Sequence, residues 1–323
     1  MQPADDGARP IRRRGGAGAR PNTIGAVIER HPTTVGGHMT FRETSSSNSI
    51  GGLAWKSAEL ALAWRQMERI HATVFGTATE RMLDLAEVRS GMHVLDVAAG
   101  AGGQTLLAAH RVGQQGQILA VDLSANMLEV AGASLREHGG TNAQTRVMDA
   151  QRLELEPDMF DAAISRLGIM PMAEPLRALT EIRRVLKPCS RLALMVWSTP
   201  ENNPFMSMPF GILRQFGLLP LAPGLPGPYA LGSPGVLEAT CERAGFQDVA
   251  VETAALRWQF ASVADALGYY RLMSTSLPRE VTEQLNEEQG RQLTAELEQG
   301  LRRFERGDGI DLAGEALLGV GTK

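Results

Sequence analysis

The sequence predicts an α/β fold on a mostly parallel, doubly wound sheet, and three observations carry that expectation. Seven β-like runs, "HVLDVA", "QILAVDL", "QTRVMDA", "FDAAIS", "RLALMVW", "DVAVETA" and "ALLGVG", alternate with helical stretches. Such alternation builds a sheet with helices on both faces. A Gly-rich turn, "DVAAGAGGQT", follows the first run, and acids stand at or just after the first three, at Asp96, Asp122 and Asp149. In doubly wound sheets the ligand sits at the carboxyl ends of the strands, which is where these residues fall.

Taken in order, residues 1–50 are rich in Gly, Arg, Pro, Ser and Thr without sustained periodicity, as in "RRRGGAGARPN". They are expected to be a disordered tail, because such composition buries too little surface to order itself. The Arg run suits either an acidic partner or plain solvation, and "GGHMT" reads as an expression scar or an internal start. Residues 51–323 form the expected domain. It begins with helices over 51–90, "WKSAELALAWRQMERIHATVF" and then "TERMLDLAEV", the latter with Met82, Leu83, Leu85 and Ala86 on one face. Ser124 caps "ANMLEVAGASLREH", "LRALTEIRRVL" sets Leu176, Leu179, Ile182 and Leu186 on one stripe, and "PGVLEATCERAG" ends at Gly245. An amphipathic helix over about 281–304, with Leu285, Leu293, Leu297 and Leu301, lies before the seventh strand. Residues 260–304 are therefore expected to be a helical lid insertion.

Composition narrows the function. The 323 residues are 43% hydrophobic and carry a net charge of −4, so no positive field exists to hold a phosphate backbone, and nucleic acid is not the expected partner. Cys189 and Cys241 show no metal-ligand spacing and read as reduced thiols of a cytoplasmic protein; no metal is expected. No apolar run approaches a spanning length, and "IRRRGG" is not followed by the apolar stretch of a signal peptide.

The glycine-rich turn decides the ligand. Gly100, Gly102 and Gly103 let the backbone approach a ligand closely, but the dinucleotide fingerprint G-x-G-x-x-G needs glycine where Thr105 stands. Asp96 at the strand end would repel a pyrophosphate and suits a cation. S-adenosylmethionine is such a ligand, with an ammonium, a sulfonium and no phosphate. Here the chain resembles the class I methyltransferases over about residues 53–323. Asp96, Gly100 and Gly102 match their D/E-x-G-x-G-x-G motif, and Ala98 replaces its first glycine. "LKPCSR" resembles the family's L-K-P-G-G turn, with Cys189 and Ser190 in place of its glycines.

The resemblance implies a Rossmann-like seven-stranded sheet with its last strand antiparallel, plus helical cap elements, and S-adenosylmethionine as cofactor. It implies Asp122 as acceptor of both ribose hydroxyls, Leu123 and Met127 against the adenine, Asp149 at the adenine amino group and the Ala150 amide at a ring nitrogen. Ser165, beside Arg166 after the fourth strand, completes the implied cofactor set. The pattern is most similar to the subgroup of ubiquinone and menaquinone C-methyltransferases and natural-product methyltransferases. That implies O- or C-methylation of a small, largely apolar acceptor.

"SRLGIM" lacks the Asn/Asp-Pro-Pro-aromatic tetrad of base-amine methylation. His71 is the candidate base, with a core-edge histidine as the plainer reading. Arg166 is the candidate for holding a polar group of the acceptor, or else meets the cofactor through its backbone alone. Trp197, Tyr269 and Tyr270, with the N-terminal helices, "NPFMSMPFGILRQF" and the insertion, are expected to wall the acceptor pocket. A homodimer is left open. A cofactor-binding regulator without transferase activity and a nicotinamide dehydrogenase are the competing classes, the latter disfavoured by Thr105 and Asp96.

Overall fold

Five strands, β1 (His93–Val97), β2 (Gln117–Asp122), β3 (Ala143–Val147), β4 (Phe160–Arg166) and β5 (Leu186–Trp197), lie parallel in the order β3-β2-β1-β4-β5. The order reverses between β1 and β4, so the crevice where a ligand is expected opens at their carboxyl ends. The computed structural model describes residues 56–218, 227–277, 279–307 and 309–323. The expected tail over residues 1–50 lies outside them.

The central strands are apolar because both faces are covered. Val94, Leu95, Val97, Ala162, Ala163 and Ile164 are all fully buried beneath α2 (Gly103–Val112), α3 (Ala125–Glu137), α4 (Pro175–Val185) and the helix that precedes the sheet. Ser124 Oγ accepts from Met127 N at 3.2 Å and starts α3, as its sequence position predicts. In α4, Leu179 and Ile182 are fully buried while Leu186 already belongs to β5.

The far side of the sheet is antiparallel. β8 (Gly309–Thr322) pairs with β5 and with the edge strand β6 (Gln247–Phe260), and the two-residue β7 (Glu305–Arg306) folds back on β8. β6 and β8 are each 14 residues long, about twice the predicted runs. The pairing of β8 with β5 ends at Trp197↔Ala316, whereas its pairing with β6 continues to Phe260↔Ile310. A two-stranded arm therefore extends past the sheet and carries the insertion: α7 (Val263–Met273), α8 (Arg279–Gln284) and α9 (Glu287–Arg302). The single helix expected over 281–304 is divided because Asn286 forms a capping box with Gln289 and begins a new helix there. Between β5 and β6 run α5 (Pro204–Gln215) and α6 (Val236–Arg243).

The helices expected over 51–90 are one: α1 (Ala58–Leu85), 28 residues, capped by Ser57 Oγ accepting from Leu60 N at 3.0 Å. Gly76 lies inside it without breaking it. A glycine costs a helix interior about 1 kcal/mol, and the buried stripe Leu60, Met67, Val74, Phe75, Ala78 and Met82 outweighs that. Leu60 and Ala61 also pack on Met127 of α3.

Beside α1 lies an aromatic core. Phe75, Trp197, Phe205, Trp258, Phe260, Tyr269 and Tyr270 pack together, with Phe205 and Tyr270 stacked at 4.5 Å. The Tyr270 hydroxyl donates to Phe205 O at 2.6 Å. Trp197 and Tyr270, expected as pocket walls, are thus core residues. Large aromatic faces bury more surface against one another than against a small ligand.

Candidate active site

The turn from β1 to α2 holds three residues in the left-handed region: Ala98 at φ 56°, Gly100 at φ 56° and Gly102 at φ 88°. Gly102 is required twice over, since a Cβ there would also stand 2.9 Å from Ala131 Cβ. Ala98 bears its strained conformation because Gly168, just beyond β4, makes room: a Cβ on Gly168 would lie 2.3 Å from Ala98 Cβ. Gly168→Ala is therefore expected to destabilise the fold by about 1–3 kcal/mol through overpacking. Adding Ala98→Gly should restore most of the loss, and additive losses in denaturant unfolding would show that the two sites are independent. Cys189, where the family has a glycine, is likewise held at φ 64°.

Asp96 lies behind the cavity lining. It is fully buried, its Oδ2 accepts from Thr105 Oγ1 at 2.6 Å and its Oδ1 from Gln104 Nε2 at 3.1 Å, and it does not line the cavity. In this geometry it ties the first turn of α2 to the end of β1. Thr105, the residue that fails the dinucleotide pattern, is its donor. Burial pushes the Asp96 carboxyl up to about 6, against the pull of Thr105, Gln104 and Arg166.

A carboxyl raised in the folded state stabilises it below the unfolded value, and the contribution is lost as pH rises through the folded one. Wild type should therefore lose about 3 kcal/mol relative to Asp96→Asn between pH about 3.5 and about 7. A pH-independent difference in unfolding free energy would contradict the shift.

Asp122 ends β2 on the cavity. Its Oδ2 accepts from Gly100 N and its Oδ1 from Ser124 N, each at 2.9 Å, and burial raises its carboxyl above the usual range against those bonds. One carboxylate thus joins the glycine turn to the start of α3. Leu123, 40% exposed, and Met127, buried, line the same cavity, as do Asp149 and Ala150 after β3. Asp149 Oδ1 accepts from Gln151 N at 2.9 Å. Ser165 does not reach the cavity; its hydroxyl is buried without a partner among the described residues. Gly102 also lies behind the lining, while Ala98 and Gly100 are part of it.

The cavity, about 370 Å³, falls within the range of small-molecule sites. Its outer wall is α1, through Trp64, Glu68, His71, Ala72, Phe75 and Gly76, and its floor is the segment after β4, from Arg166 to Ala173. Among the described residues, none of α5 or of the insertion lines it. Of the expected acceptor wall, α1 covers the strand ends as the N-terminal helices were expected to, whereas α5 and the insertion are corrected to a place behind it, the insertion meeting the site through Tyr269. That hydroxyl shares a 3.1 Å hydrogen bond with His71 Nε2.

His71 is enclosed, with Trp64 at 4.7 Å between ring centroids. Burial, helped by the Arg166 charge, pushes His71 down to about 3. Sequence reading missed Trp64, Glu68, Phe75, Gln104 and Gln151. The available signal was that Glu68 and His71 interrupt an otherwise apolar helical stripe. Among the described residues no cluster of three His, Cys, Asp or Glu side chains is set to hold a metal, and no helix is long and apolar enough to cross a membrane.

The strand order and the glycine turn resemble those of the class I S-adenosylmethionine-dependent methyltransferases. Within that class the chain resembles the ubiE/COQ5 methyltransferase family, whose model matches residues 70–224. The ubiquinone/menaquinone biosynthesis C-methyltransferase UbiE of Hahella chejuensis is 34% identical over 140 residues, 43% of this chain and 55% of that protein. The chain spans about half the length of these curated relatives. The YcgJ protein of Bacillus subtilis shares the fold with a TM-score of 0.53 at 19% identity, over 77% of this chain and 98% of that one. Phosphoethanolamine N-methyltransferase 2 of Haemonchus contortus does so at 0.54 and 19%, over 88% of this chain and 61% of that one.

Proposed function

We propose that this protein transfers the methyl group of S-adenosylmethionine to a small, largely apolar organic acceptor, at carbon or oxygen. The observation that carries the reading is the cradle at the strand ends. Gly100 lines the cavity with open space where a Cβ would stand, and the Asp122 and Asp149 carboxylates stand at the next two strand ends. The residues present fit the cofactor: Asp122 would hold the ribose hydroxyls, Leu123 and Met127 the adenine faces, and Asp149 and Ala150 its edge.

Bound there, the sulfonium supplies an electrophilic methyl group with a good leaving group. The protein's part is then alignment and exclusion of water. Trp64, Phe75 and Met172 present apolar wall to the acceptor. His71, neutral at ordinary pH, is too weak a base to hold a proton; its role is to hydrogen-bond and orient. The names of the UbiE relatives support carbon as the methylated atom. We further propose that the protein works in the cytoplasm on small molecules rather than nucleic acid, that residues 260–304 steady the site from behind as a cap, and that two copies assemble.

Calorimetry and thermal unfolding test the reading. S-adenosylhomocysteine at a hundredfold excess over its dissociation constant should add about 2.7 kcal/mol of stability. Stabilisation by NAD and not by either adenosyl ligand would refute it. Labelled methyl groups should then appear on members of a panel of quinols, phenols, prenyl and polyketide acceptors.

A further inference from the structure

Arg166 is a charged donor left open toward the cavity. It projects from the carboxyl end of β4, its Nη1 donates to Thr79 Oγ1 at 3.0 Å, and its guanidinium lies 5.5 Å from the centre of the Phe75 ring. That is its one hydrogen bond among the described residues, and it has no carboxylate within ion-pair distance there. Of its five N–H donors, most are therefore unspent. Its Nη2 lies 3.0 Å from where a Cβ on Gly103 would stand, beside the glycine turn, and the side chain lines the cavity.

The groups around it do not answer this charge. Asp96 draws it electrostatically but forms no hydrogen bond or ion pair with it among the described residues, its oxygens accepting instead from Gln104 and Thr105. His71, the other titratable group nearby, is neutral. A half-buried guanidinium pairs best with a planar anion of two oxygens, and none of the carboxylates that line the cavity, Glu68, Asp122 and Asp149, forms an ion pair with it among the described residues. Burial has already lowered its own value to about 10, a cost that an arriving anion removes.

We propose that Arg166 is an anion-binding site of the cavity, taking a carboxylate or oxyanion of a bound small molecule. The inference rests on the cofactor reading only in naming the sources of that anion: the methionine carboxylate of the cofactor, or an acidic group of the acceptor. Arg166 is then a binding residue whose loss is read as charge selectivity. Thr79 and Phe75 fix the plane in which it meets its partner.

The experiment compares wild type with Arg166→Met and Arg166→Lys, each first shown to melt cooperatively. S-adenosylhomocysteine and 5′-methylthioadenosine, which lacks the carboxylate, are titrated by calorimetry. Benzoate and benzamide are titrated with and without S-adenosylhomocysteine. If the cofactor carboxylate is the partner, Arg166→Met loses at least tenfold for S-adenosylhomocysteine and little for 5′-methylthioadenosine, with Arg166→Lys between. If the acceptor supplies the anion, adenosyl affinities hold, and a wild-type preference for benzoate over benzamide disappears in Arg166→Met. Unchanged affinities in both arms overturn the proposal. Failure of wild type to bind either adenosyl ligand overturns the cofactor reading instead, and the benzoate arm in the ligand-free protein then decides on Arg166. Should Arg166→Met not melt cooperatively, Arg166→Lys decides by the same comparisons.

Discussion

Asp122→Ala is expected to cost about 3–5 kcal/mol of folding stability and to weaken S-adenosylhomocysteine binding by two orders of magnitude or more. The Asp122 carboxylate accepts from two backbone amides at 2.9 Å, Gly100 and Ser124, and a hydrogen bond to a charged group contributes about 1.5–3 kcal/mol. Alanine strands both donors in a largely enclosed site. The glycine turn then loses its tie to β2 at the very point where it lines the cavity. Asn should recover one amide and fail at the other, where its NH2 group meets a second donor. Denaturant unfolding and calorimetry report the two effects separately. Binding lost without loss of stability would assign the carboxylate to the ligand alone, and unchanged values in both would refute its role in the loop.

The second large effect belongs to His71 and runs with pH. Its folded value of about 3 lies below the ordinary 6.5 because burial and Arg166 disfavour the imidazolium. A base lowered in the folded state gives stability that is present above the unfolded value and lost as pH falls toward the folded one. The loss amounts to about 5 kcal/mol between pH about 6.5 and about 3. His71→Phe should flatten the acid limb of the stability curve in that window. It should also leave the Tyr269 hydroxyl unpaired, at about 1–3 kcal/mol independent of pH. An acid limb as steep in the variant as in wild type would show that His71 is protonated in the folded protein. Asp96 acts in the opposite sense, its contribution falling away as pH rises toward and past about 6. The double variant should therefore separate two titrations that partly cancel in wild type.

The sheet was legible because buried parallel strands read as short apolar runs, and the glycine turn because its left-handed residues restrict what can stand there. Asp122 and Asp149 were legible as acids at strand ends. The N-terminal helices were legible as cover for the site, but which of their side chains line it was not, because α1 reaches the cavity through contacts between segments some 25 to 100 residues apart, and no local period reports such pairing. Asp96 shows the limit most clearly: its position at the strand end is readable, but its tie to Thr105 and Gln104 on the next helix is not. Aromatic residues are ambiguous in the same way. Trp197 packs against Phe75, and Tyr269 holds His71 from the insertion; composition alone could assign either to ligand or to core.

One helix walls the whole length of the cavity. From Lys56, just ahead of α1, to Gly76 within it, the lining residues span about 30 Å of rod at 1.5 Å per residue. The same rod is anchored at its far end by Thr79, which holds Arg166, and by Met82 in the main core. Such a rod does not open over one half of the cavity while staying shut over the other. The two ends of the cavity are therefore coupled: a displacement of α1 that unseals one also unseals the other.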